Sequence, residues 1–138
     1  MGRILAIDYG KKRAGLAVTD PMKMIANALD TVHPNELLDY LAGYMDKESV
    51  DTIVVGYPKQ MNNQESESVQ YIRPFLKKLK KQFPNVTVEL EDERFTSGMA
   101  KEAMLQGGMK KKQRQNKANV DKISATIILQ SFLERKST

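Results

Sequence analysis

The sequence predicts an α/β domain built on a mixed five-stranded sheet with helices on both faces. Three observations carry that expectation. Short apolar runs closed by polar or glycine residues alternate with amphipathic stretches of helical spacing. The first two runs lie close enough to form an antiparallel hairpin, whereas the later ones are separated by helix-length segments. No repeat, Ser/Gly linker or change of composition divides the 138 residues, so a single domain over 1–138 is expected.

Each element has its own warrant. Ile4 to Tyr9 is a short apolar run ending in a carboxylate, and Ala14 to Thr19 is a second one across the turn Gly10-Lys11-Lys12-Arg13. Ala28 to Val32 alternates as a third, weaker strand. Between Asn35 and Lys47, Leu37, Leu38, Leu41 and Tyr44 repeat at helical intervals. Thr52 to Val55 reads as a buried strand closed by Gly56-Tyr57-Pro58. Asn62 and Glu65 have capping-box spacing ahead of Val69, Ile72, Leu76, Leu79 and Phe83, a helix that Pro74 should kink or break by a turn. Val86, Val88 and Leu90 alternate with Thr87, Glu89 and Glu91 as a half-buried strand. Thr96 or Ser97 can cap a short helix carrying Met99, Ala103 and Met104, stopped by Gly107-Gly108. Lys110 to Lys117 should be a mobile loop, and Asn119 should cap a last helix running to about Arg135.

Composition narrows the chemistry. The chain has no cysteine, which excludes disulfides, thiolate zinc sites and a cysteine nucleophile. Its single histidine, His33, expected in an exposed loop, excludes a multi-histidine metal cage and argues against a Ser-His-Asp hydrolase. The net charge of +5 favours an anionic partner. No apolar run approaches the roughly 20 residues of a membrane span. The four apolar residues before Asp8 are too few for a signal peptide, and Ala6 stands where a myristoylation signal wants Ser or Thr. A cytoplasmic protein without a membrane partner is expected.

Four features bear on chemistry. Asp8 closes an apolar strand, where a carboxylate needs a cation, a donor or a metal, and Gly10 and Gly15 let the backbone approach an anion or make the turn. Capping of the turn by Asp8 is the simpler alternative. The segment is not a P-loop, because Leu16-Ala17 stands where its Lys and Ser/Thr must be. Glu91-Asp92-Glu93 packs three carboxylates before Arg94, suited to a divalent cation or, equally, to a solvated turn. Asp121 shares a helical stripe with Ala125, Ile128 and Phe132, which places a carboxylate one turn before an apolar face; complementing the helix dipole would explain it as well. Finally, seven basic residues between Arg94 and Lys117 face Glu102 alone, a density that can neutralise phosphates or simply be solvated.

Taken together, these residues resemble the YqgF/RuvX family, RNase H-like proteins described as Holliday junction resolvases and as pre-16S ribosomal RNA nucleases. Asp8-Tyr9-Gly10 through Arg13, Gly15, Ala17 and Asp20 looks like the family's first motif. Gly56-Tyr57-Pro58 is similar to its Gly-x-Pro element, Asp92 to Ser97 to its Asp-Glu-Arg-x-Thr-Thr segment, and Asp121 through Gln130 to its final helix. Ser97 in place of the second Thr keeps a hydroxyl, while Asn63 stands where Gly is common. The resemblance implies an RNase H-like sheet and a metal-dependent phosphodiesterase whose acidic triad is Asp8, Glu93 and Asp121, holding Mg²⁺ or Mn²⁺. Strand parity taken alone favours another acid. It groups Asp92 with Val86, Val88 and Leu90, so that Asp92 rather than Glu93 would point at Asp8 if that is the inward face.

On this reading Arg13 and Arg94 contact the scissile or adjacent phosphate, and Lys110, Lys111, Lys112, Arg114 and Lys117 clamp flanking ones. The expected activity is maturation of pre-16S rRNA on structured RNA. Resolution of branched DNA, which would need two active sites and hence a homodimer, and RNA binding without catalysis are the alternatives. An actin-like ATPase shares the Asp-x-Gly hairpin but normally needs two such domains around its nucleotide.

Overall fold

The computed structural model describes residues 2–57, 67–92 and 117–137. In chain order these form β1 (Arg3–Tyr9), β2 (Ala14–Thr19), β3 (Ala26–Val32), a 3-10 turn (Pro34–Glu36), α1 (Leu37–Lys47), β4 (Val50–Tyr57), α2 (Glu67–Gln82), β5 (Thr87–Asp92) and α3 (Lys117–Ser137). The five strands lie in one sheet in the order β3-β2-β1-β4-β5. β1 pairs antiparallel with β2, and β2 with β3; β1 pairs parallel with β4, and β4 with β5. The hairpin and the parallel half therefore meet at β1, the middle strand.

Alternation along the strands builds two cores. Leu5, Ile7, Leu16, Ile53 and Val55 face α1 and α2, where Leu37, Leu41, Ile72, Phe75 and Leu79 cover them. On the other side Ile4, Ala6, Ala17 and Val54 meet Ala125, Ile128, Leu129 and Phe132 of α3. Ala6 and Ala17 are partners in the β1–β2 register, and two methyl side chains side by side let α3 lie close to the sheet. Continuous apolar runs in β1, β2 and β4 are the consequence of burial on both faces.

Several boundaries differ from the sequence reading. Pro74 lies inside α2 without interrupting it: both Pro74 and Gln70, whose carbonyl loses its partner, are exposed, so water can take that carbonyl. Lys117 is the first residue of α3 rather than the end of a loop, and Asn119 lies within the helix instead of capping it; Lys and Ala at 117–118 are good helix formers. His33 caps the 3-10 turn, its Nδ1 accepting from the Asn35 N–H at 3.1 Å. The proposed cap at Asn62 and Glu65, the Met99–Met104 helix and the 110–116 loop lie outside the described residues. Among the described residues no helix is long and apolar enough to cross a membrane.

The β2–β3 connection is held by Asp20, whose carboxylate accepts from the N–H groups of Met24 and Ile25 at 2.9 and 2.8 Å. Lys23, at φ 60°, extends its ammonium to Asp51 at 2.6 Å. The Ile25 and then the Met24 N–H hold the Asp20 carboxyl below its ordinary value of 3.8. Burial pushes Asp51 up, but hydrogen bonds from Lys23 and Thr52 outweigh it and leave that carboxyl lowered too. A depressed folded pKa contributes stability above the unfolded value and loses it as pH falls through the folded one. Thermal unfolding from about pH 5 to about 2.5 should therefore show a midpoint that drops below about pH 4, and Asp20→Asn with Asp51→Asn should flatten that drop.

Candidate active site

Asp8 stands one residue from the end of the central strand, opposite Gly15 in the hairpin register. It is half-buried and shares the parity of Ile4 and Ala6, which places it on the α3 side of the sheet. Directly after it the chain turns sharply. The Gly10 N–H donates to the Arg13 carbonyl at 2.9 Å, and a Cβ at position 10 would come within 2.7 Å of that same oxygen. Glycine is therefore required by close approach of backbone. The turn and Asp8 enclose an open pocket of about 280 Å³ lined by Asp8, Gly10, Lys11, Lys12 and Arg13.

One carboxylate and three cations thus line one pocket, a charge pattern that suits an anion approached by a carboxylate. Arg13, an expected phosphate contact, is one of the lining residues. Lys11 and Lys12 are not among the expected contacts, although their place in the turn three and four residues beyond Asp8 is the available signal. On the opposite face of β1, Tyr9 stacks on Phe75 of α2, ring centroids 4.6 Å apart, and burial raises its hydroxyl pKa. The residue beside Asp8 is thus fixed by packing.

β5 brings its acidic end to the same side. Glu91 is 7% exposed and accepts from the Ser131 hydroxyl of α3 at 3.3 Å. Val88 packs instead into the core under α1 and α2. This corrects the parity reading above: the face of β5 that shares α3 with Asp8 is the Glu91 face, not the Val88 face. A buried carboxylate tolerates that position because it has a hydroxyl donor. The sequence marked the acidic cluster but not Glu91 as its packed member.

The other candidates are placed less fully. Position 121 lies in the first turns of α3, four residues before Ala125, on the stripe completed by the buried Ile128 and Phe132; the Asp121 side chain itself is outside the described ones. Glu93, Arg94, Lys110, Lys111, Lys112 and Arg114 lie outside the described residues, and Lys117 is described only as the start of α3. Among the described residues no three acids or histidines come together as a metal-holding group.

A family model described as "RuvX: Holliday junction resolvase" matches residues 2–135. The chain belongs to the RuvX family. Among its relatives, a protein of Phocaeicola vulgatus is 62% identical over 99% of this chain and 98% of its own length, and one of Bacteroides fragilis is 59% identical over 99% of both. Both are named "Putative pre-16S rRNA nuclease". A solved structure described as T. thermophilus RuvC in complex with Holliday junction substrate superposes with a TM-score of 0.60, covering 100% of this chain and 98% of that one at 16% identity. At that identity the likeness concerns the fold: this RuvX chain carries the RNase H-like sheet that its motifs implied, and it is a nuclease by family.

Proposed function

We propose that this RuvX protein hydrolyses phosphodiester bonds of structured RNA, in maturation of the 5′ end of pre-16S rRNA, with Asp8, Glu93 and Asp121 as the acidic triad. The observation that carries the proposal is the pocket that Asp8 lines together with Lys11, Lys12 and Arg13. Cations of the turn and Arg94 would take the phosphates, while Lys110, Lys111, Lys112, Arg114 and Lys117 would neutralise flanking ones. The relatives' names point to pre-16S rRNA as the substrate.

The donor chemistry fits Mg²⁺ or Mn²⁺. The chain has no thiol, its one imidazole is engaged in a turn, and the candidate ligands are all carboxylate oxygens, the preference of hard dications. Asp8, Glu93 and Asp121 would hold the ion, which supplies a lowered pKa for the attacking water and charge neutralisation at the phosphate when bound. Glu93 is chosen over Asp92 on the likeness of Asp92 to Ser97 to the family's Asp-Glu-Arg segment. The protein's own share is to anchor Asp8 through the Tyr9–Phe75 stack and to offer Arg13 to the phosphate.

The family description favours a second substrate, branched DNA, for which two copies of the chain would be needed. Single-turnover cleavage of a pre-16S 5′ fragment and of a four-way DNA junction, each with Mg²⁺, Mn²⁺ or EDTA, decides between them. Cleavage of the RNA that EDTA abolishes is the expected result. Cutting of the junction alone would move the assignment to DNA. RNA affinity without turnover in either metal would leave a binding factor and overturn hydrolysis.

A further inference from the structure

The hairpin turn does more than close the strand. Tyr9 and Lys11, two residues apart, both reach α2: Tyr9 stacks on Phe75, and the Lys11 ammonium lies 5.5 Å from the centre of the Tyr71 ring. Tyr71 and Phe75 are four apart on α2 and so share one of its stripes. Lys11 also lines the Asp8 pocket, and Tyr71 is 41% exposed at the surface of α2. A lysine in an exposed turn ordinarily spends its time spread over many rotamers. This one has a π-face to lie on, and the interaction survives in water because the ring draws the charge without dehydrating it fully.

We propose that Lys11 is a phosphate contact of the Asp8 pocket and that Tyr71, which touches no reacting atom, is its positioning residue. The proposal rests on the reading that this pocket receives a nucleic-acid backbone, and it adds a second element, α2, to the binding surface. Tyr71 restrains the ammonium of this pocket-lining lysine before substrate arrives. Part of the ordering cost of binding is then already met in the free protein. On this account the two residues act as a unit: removing the lysine should make the tyrosine irrelevant.

The test is the affinity of full-length protein for a fluorescein-labelled single-stranded RNA, measured by anisotropy in EDTA over a range of NaCl concentrations. Lys11→Gln should lower the magnitude of the slope of log K against log salt by about 0.7, one phosphate contact on a single strand. Tyr71→Leu keeps bulk but loses the ring and should weaken binding about two- to fivefold, whereas Tyr71→Phe should bind as the parent protein does. The Lys11→Gln, Tyr71→Leu double variant should be no weaker than Lys11→Gln alone. Both single variants should unfold at the parent temperature, which separates positioning from a structural role. An unchanged slope in Lys11→Gln, or strictly additive losses in the double variant, overturns the proposal while leaving the nuclease reading intact. Absence of salt-dependent RNA or DNA binding by the parent protein overturns both.

Discussion

Asp8→Asn should leave folding and RNA affinity intact and slow single-turnover cleavage roughly a thousandfold, the loss of several kcal/mol of transition-state stabilisation. Asparagine is nearly isosteric with aspartate and keeps one acceptor oxygen, so a role as a simple turn cap would survive the change. Its missing charge is what the chemistry would feel. The environment sharpens the expected signature, because Asp8 shares its pocket with Lys11, Lys12 and Arg13. Removing a negative charge there makes the pocket more cationic, so the apparent affinity for RNA should hold or rise as the rate falls. A general electrostatic or folding defect would lower both together. Wild-type cleavage by the asparagine variant would return Asp8 to a structural role.

Legibility of this chain in its sequence depended on how local each signal was. The hairpin around Gly10, the continuous runs of β1, β2 and β4 and the stripe Ala125, Ile128, Phe132 all follow from short-range periodicity, and each is where it was expected. The facing of β5 was not legible. Val88 looks like the inward residue of an alternating strand, and it is half-buried, but under α1 and α2; Glu91 packs on α3 against Ser131, 40 residues further along. A sheet covered on both faces has no single inward side, so parity alone cannot say which acid meets Asp8. At Pro74 the helix is not interrupted: the cost depends on whether the carbonyl four residues earlier reaches water, which exposure decides and propensity does not. Lys11 and Lys12 escaped notice because a basic turn looks like any solvated turn until a pocket forms beside it.

On the proposed triad, stability and chemistry are coupled on the α3 side of the sheet, and Phe132→Ala should expose it. Phe132 is 2% exposed and sits with Ile128, Ala125 and Leu129 against Ile4, Ala6, Ala17 and Val54. Truncating it should cost about 3–5 kcal/mol, since the small alanines beneath cannot expand to refill the space. In a protein whose whole stability is of the order of 5–15 kcal/mol, that is a large share of it. Leu41→Ala, in the other core under α1, provides the control, because it should cost a comparable 2–5 kcal/mol. Both variants can be compared at a temperature where circular dichroism shows each fully folded. If α3 carries a metal-holding acid at position 121, loosening its seat should cut cleavage per folded molecule about tenfold and raise the Mn²⁺ concentration needed for half-maximal rate. Leu41→Ala should change neither beyond about twofold. A shift of a few tenths of an ångström matters to a metal site that must hold its ligands within about 0.5 Å, and it does not matter to a core residue on the far side of the sheet. Equal loss in both variants would mean that the helix only covers the sheet, and that the acids on it take no part in the reaction.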